Sequence, residues 1–187
     1  MDSSIIITFA IPLFFGLILI EFFYGVITKQ NNYRINDAIT SMSLGLISRF
    51  VPILGLGFQY VVYKAVAEHY NLKLLSGEEI WVWVTAFILY DICYYWMHRI
   101  HHEIKVFWAT HVVHHHGEEF NLATALRQTS TGFLWKWVFF LPLFIIGIPP
   151  QMYVTVAGLN LVYQFWVHTE HIGRLGFLEY IFVTPSN

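Results

Sequence analysis

Residues 80–119 read "IWVWVTAFILYDICYYWMHRIHHEIKVFWATHVVHHHGEE". Ile80 to Met97 carries a single charge, Asp91, and runs straight into His98 to Glu119, which holds seven of the chain's ten histidines. An apolar run of about 20 residues crosses a bilayer core as a helix, because a helix satisfies its own backbone there. The sequence thus predicts a ligand-rich segment hung on the end of a membrane span. Asp91 inside that span is costly in hydrocarbon and points to function.

Working outward, Ile5 to Ile27 and Ala38 to Tyr63 have the same apolar character, with the polar breaks "KQNNYRIND" and "KAVAEHYNLKLLSGEE" between the runs. The N-terminus lacks a cationic leader and a small-residue cleavage site, so its run reads as a retained span. Residues 132–167 are apolar again but interrupted by "GIPP", where Pro149 and Pro150 disfavour a continuous helix. A helical hairpin is expected there, returning His168 and His171 to the side of His98. Lys29, Arg34, Arg99, Lys105, Arg127 and Arg174 would share that side against Lys64 and Lys73 opposite, which makes it cytoplasmic. The expected fold class is all-α: a multi-pass (polytopic) transmembrane helical bundle with a cytoplasmic, histidine-rich helical cap.

Composition narrows the function. Hydrophobic residues make up 57% and charged residues 12%, as in a membrane protein, and a net charge of −2 offers no field for nucleic acid. Cys93 is the single cysteine, so disulfide frameworks and thiolate clusters are excluded and a metal must be held by nitrogen and oxygen. On a helix, positions i, i+3 and i+4 share a face. His98 and His102 are four apart, and His111, His114 and His115 form an i, i+3, i+4 set. His101 lies within reach of the first face, His116 falls off the second, and His168 and His171 are three apart. Imidazole-only sites suit non-haem iron or zinc, and this many clustered histidines exceeds the needs of one tetrahedral ion, which argues for two metals. Asp91, Glu103, Glu118, Glu119 and Glu170 are expected to orient the rings.

The segments "HRIHHE", "HVVHH", "GEEFNLATALRQT", "FWVHTE" and "LGFLEYIFVTPSN" resemble the fatty acid hydroxylase and sterol desaturase superfamily, the "EEFNLATALRQ" block being most like its alkylglycerol monooxygenase-like branch. The resemblance runs from about Tyr90 onward. It implies residues 1–79 as N-terminal membrane helices and loops, and 80–187 as the hydroxylase-like domain. It further implies an integral-membrane oxidoreductase with two iron ions that hydroxylates a lipid C–H bond with O2. Box by box, His98 and His102 correspond to the first histidine motif, His111, His114 and His115 to the second, and His168 to an isolated ligand. His101, His116 and His171 match no motif position. The family continues into a third box, His-x-x-His-His, so the resemblance implies a C-terminally incomplete domain that turns over poorly. No G-x-G-x-x-G fingerprint is present, so electrons are expected from outside: a cytochrome, a ferredoxin or tetrahydrobiopterin. The alternatives are a lipid desaturase on the same metal site and a non-catalytic metal-binding membrane protein.

Overall fold

A computed structural model gives the fold and describes the backbone at residues 3–54, 58–75, 77 and 79–186, with side chains from residue 8 onward except at 51–57. The described residues form eight α-helices: α1 (Ser3–Thr28), α2 (Ile35–Leu54), α3 (Phe58–His69), α4 (Ile80–Glu103), α5 (Lys105–His111), α6 (Leu122–Ala125), α7 (Lys136–Ile146) and α8 (Pro150–Trp166). Short 3-10 turns occupy His114–His116, Gly132–Leu134 and Gly176–Tyr180, and no strand is present among the described residues.

Two helices, Thr8–Thr28 of α1 and the whole of α4, are long and apolar enough to cross a membrane. In α1 the buried positions Ala10, Phe14, Ile18 and Glu21 recur every three or four residues and form one stripe. The remaining faces, including Phe9, Ile11, Phe15, Leu19 and Ile20, are exposed yet apolar. A helix that is apolar all round matches hydrocarbon surroundings. α4 follows the same pattern, burying Val82, Ala86, Tyr90 and Met97 while exposing Trp81, Val84, Ile88 and Ile92.

Of the run Ala38–Tyr63, expected as one span, residues 38–54 lie in α2 and residues 58–63 in α3. Residues 55–57, Gly-Leu-Gly, lie outside the described residues, so the expected single span is neither joined nor divided there. The expected hairpin is present as α7 and α8, but α7 has 11 residues and reaches only about 16 Å, about half of a bilayer's hydrocarbon core. Its last carbonyls are satisfied by the loop after α3: Leu72 N–H donates to Ile145 O at 2.7 Å and Leu74 N–H to Ile146 O at 3.0 Å. Gly147, at φ 120°, makes the turn that lets Pro150 open α8 at its first position.

Two apolar clusters share α8. One packs Tyr63, Val82, Tyr90, Leu143, Phe144, Ile148 and Val156 between α3, α4, α7 and α8. Phe144 and Leu143 are fully buried there, each contributing about 1.5–3 kcal/mol. The other packs Ala10, Phe14 and Ile18 of α1 against Leu122, Ala123 and Ala125 of α6 and Phe165 of α8. Gly45 lets α2 approach closely as well, since a Cβ there would lie 2.4 Å from Leu126 O. Helices α1, α2 and α8 thereby converge on α6 and the histidine segment that precedes it.

Candidate metal centre

α4 does not stop where its apolar run ends; it continues to Glu103, so His98 and His102 project from the final turns of the same helix. Ile104, extended at φ −109° and ψ 122°, breaks the helix and redirects the chain into α5, which packs back on α4. His111 closes α5, and His115 follows in the 3-10 turn. The reversal brings four rings together. Nε2 of His98 and Nε2 of His102 are 3.0 Å apart, Nε2 of His111 and Nε2 of His115 are 3.1 Å apart, and the four ligand nitrogens all lie within 4.8 Å of one another. Nitrogens about 2.1 Å from a common ion sit about 3.0 Å apart at a right angle and about 4.2 Å apart across it. The tetrad therefore matches one metal after a contraction of roughly half an ångström.

His114 does not join this group, although the helical spacing places it on the face of His111 and His115. Its Nδ1 donates to Arg127 O at 2.8 Å, which turns Nε2 the other way, to 3.3 Å from Nε2 of His168. His168 in turn donates its Nδ1–H to Gln164 O at 2.8 Å. A carbonyl can only accept, so each neutral ring carries its proton on Nδ1 and its lone pair on Nε2. Two lone pairs thus face each other at 3.3 Å, a repulsive arrangement that a cation between them relieves. The six family-matched histidines fall into a tetrad, His98, His102, His111 and His115, and a pair, His114 and His168.

The pair opens on a cavity of about 200 Å³ that His114, His115, His168, Glu119, Phe120 and Glu170 help to line. Burial pushes His111 down to about 2, with the His98, His114 and His115 imidazoles and Lys136 adding to the effect. Burial likewise holds His114 and His115 at about 4, the Arg127 carbonyl partly opposing the shift at His114. His168 is lowered for the same first reason. These rings are therefore neutral at physiological pH, the form that binds metal.

The unmatched histidines are placed differently. His101 is buried with Nδ1 on Met97 O at 2.7 Å and its ring against Phe107 and Phe139. His116 is exposed, and His171 packs edge-on against Tyr24. The carboxylates expected to orient the rings are mostly engaged elsewhere. Glu103 pairs with Arg99, Glu118 and Glu119 pair with Arg34, and Asp91 accepts from Asn160 at 3.5 Å. Backbone carbonyls orient His114 and His168 instead.

The residue that sequence reading passed over is Arg127, treated there only as a loop charge. It is 5% exposed; its Nε donates to Val113 O at 3.0 Å, and its Nη1 donates to Asp37 at 2.9 Å and Ser41 at 3.2 Å. An arginine directly after the apolar-rich "NLATAL" turn is the available signal. Asn121 caps the short α6 before it, its side chain accepting from the N–H groups of Ala123 and Thr124.

A helix ending in one histidine set, a reversal that brings back the second, and an isolated histidine after the hairpin together define a class of all-α protein whose histidine cluster could hold a metal. The fatty acid hydroxylase family model matches residues 83–187, and the chain belongs to that family. It is 41% identical over 179 residues to the alkylglycerol monooxygenases of Homo sapiens and Danio rerio, and 38% identical over 174 residues to that of Xenopus tropicalis. These alignments cover 95%, 95% and 93% of the chain but 40%, 40% and 39% of the relatives, so the chain spans about two fifths of their length. No solved structure gives a significant match.

Proposed function

We propose that this chain carries the metal-binding part of a membrane-bound lipid monooxygenase that hydroxylates a C–H bond of an ether lipid of the alkylglycerol type. The observation that carries the reading is the convergence of His98, His102, His111 and His115 from α4, α5 and the following turn within 4.8 Å, in a chain of the fatty acid hydroxylase family. His98, His102, His111 and His115 hold one iron and His114 and His168 contribute to a second. Iron, when bound, supplies the redox chemistry by which O2 and external electrons oxidise an unactivated C–H bond.

The chain's own residues perform the remaining tasks. Arg127 O and Gln164 O keep protons on the Nδ1 atoms of His114 and His168, so that both Nε2 atoms stay free to bind. Trp108, with ring centroids 5.3 Å from His102 and 5.8 Å from His115, packs against one side of the tetrad. The apolar faces of α1 and α4 hold the protein in the bilayer, where an alkyl chain reaches the end of α4 without leaving hydrocarbon. The second group has two imidazoles among the described residues, which fill only part of an iron's coordination sphere. In this reading a further segment of the form His-x-x-His-His completes it, and residues 1–79 brace the 80–187 domain. Both groups face the cytoplasm, and single cysteines at Lys105 and Arg174, in a Cys93-free background, should label from the same side of the membrane; opposite sides would refute the arrangement.

The functional test is O2-dependent conversion of a 1-O-alkylglycerol in membranes that contain the chain extended by such a segment, with a supplied reductant. Hydroxylation that disappears in the His98→Ala, His102→Ala variant is the expected result. Formation of a double bond instead would identify the desaturase alternative, and metal binding with no lipid oxidation the non-catalytic one.

A further inference from the structure

Glu21 lies in the apolar run of α1 and is only 6% exposed. A lone carboxylate in such a setting is costly unless its oxygens are fully engaged. Its partners come from three separate segments. Oε2 accepts from the Tyr33 hydroxyl, in the loop after α1, and from Leu122 N–H at the start of α6 at 2.8 Å. Oε1 accepts from the Thr169 hydroxyl. Among the described residues no cation takes part, and neutral donors hold the carboxylate. Tyr33 is a permanent donor, its phenol pushed far up by burial and then by the Glu21 carboxylate.

Two of these contacts lead to the two rings of the second group by different routes. Thr169 directly follows His168, and its hydroxyl also receives His171 N–H at 3.2 Å, fixing the turn beyond α8. Leu122 begins the α6 turn, where Leu126 N–H bonds to Ala123 O and Arg127 N–H to Thr124 O, and Arg127 then presents its carbonyl to His114. The segment is braced further where Asn32 donates to Phe120 O at 2.9 Å and Asn121 donates to Asn32 O at 2.7 Å. Glu21 is thus the common anchor of two chain segments, remote in sequence, that must come into register to face His114 and His168 at 3.3 Å. The tetrad has no such dependence, because its four histidines sit on α4, α5 and the turn that follows.

We infer that Glu21 is a positioning residue for the His114–His168 pair. It acts from the first apolar helix and through hydrogen bonds rather than through its charge. The inference rests on the reading of His114 and His168 as a metal-binding pair.

The test uses Cu(II) as a probe on the whole 187-residue chain in lipid nanodiscs, since copper binds imidazole strongly and its paramagnetic resonance distinguishes a four-nitrogen from a two-nitrogen site. Wild type should give both signals, with the two-nitrogen signal absent from His168→Ala. Glu21→Ala should weaken copper binding at the pair by about 10–100-fold, the loss typical of an outer orienting group, and leave the four-nitrogen signal intact. Glu21→Gln should behave as wild type, because its amide oxygen still accepts from Tyr33 and Leu122 while its N–H meets the Thr169 hydroxyl, which can turn to accept. Thr169→Val, a near-isosteric change that tests the same contact if Glu21→Ala fails to fold, should weaken the pair signal alone. A pair signal that survives both Glu21→Ala and Thr169→Val, or is lost in Glu21→Gln, overturns the positioning role. A wild-type chain showing only the four-nitrogen signal refutes the metal-binding pair itself and this inference with it.

Discussion

Replacing Arg127 by Ala is expected to destabilise the protein by about 3–5 kcal/mol, the cost of stripping one partner from a buried ion pair. The side chains of Arg127 and Asp37 are 6% and 13% exposed, so the Asp37 carboxylate would be left with little water to replace the guanidinium. The same guanidinium also holds Val113 O beside the second histidine set and Ser41 on α2, which places the loss towards the upper end of that range. Arg127→Lys should recover little, since one ammonium cannot reproduce a planar fork that reaches Val113, Asp37 and Ser41 together. Asp37→Asn should be milder, as its amide oxygen still accepts a hydrogen bond. Unfolding in a fixed lipid or detergent system, followed by far-ultraviolet circular dichroism, checks the ranking. Equal stability of Arg127→Ala and wild type would mean that the ion pair does not brace the histidine segment.

His111→Ala is expected to have the largest effect on metal binding. The ring is 7% exposed, and its centroid lies 4.7 Å from that of His98, 4.9 Å from that of His102 and 4.8 Å from that of His115. Every other tetrad ring therefore packs against it. Its loss removes one of four nitrogens and leaves space in which the other three can relax away from a shared centre. Affinity at the tetrad should fall by more than about 100-fold, beyond the 10–100-fold that removal of an outer orienting group costs. His116→Ala should change nothing, because that ring is exposed and outside both groups.

Particular residues show how far sequence reading reaches. The runs Ile5–Ile27 and Ile80–Met97 and the Pro149–Pro150 turn are legible because length, apolarity and proline act locally, and each corresponds to an observed helix or break. The run Ala38–Tyr63 falls in α2 and α3 on either side of residues 55–57, which lie outside the described residues. The pair His98 and His102 is legible from spacing, since an i, i+4 pair on a helix converges locally, whereas its meeting with His111 and His115 depends on the reversal at Ile104. The departure of His114 from that face is not, because it depends on a carbonyl thirteen residues later, at Arg127. Glu21 is hidden for a similar reason. Its three donors lie 12, 101 and 148 residues away along the chain, and in sequence it is only a charge in an apolar run.

The most direct test of the central claim, two separate histidine groups of unequal strength, is an anaerobic Fe(II) titration of the metal-free chain followed by calorimetry. Two events are expected, a tight one from the tetrad and a weaker one from His114 and His168. His111→Ala should remove the first and keep the second, and His168→Ala should do the reverse. A single event, or two events abolished together by either substitution, would contradict the account.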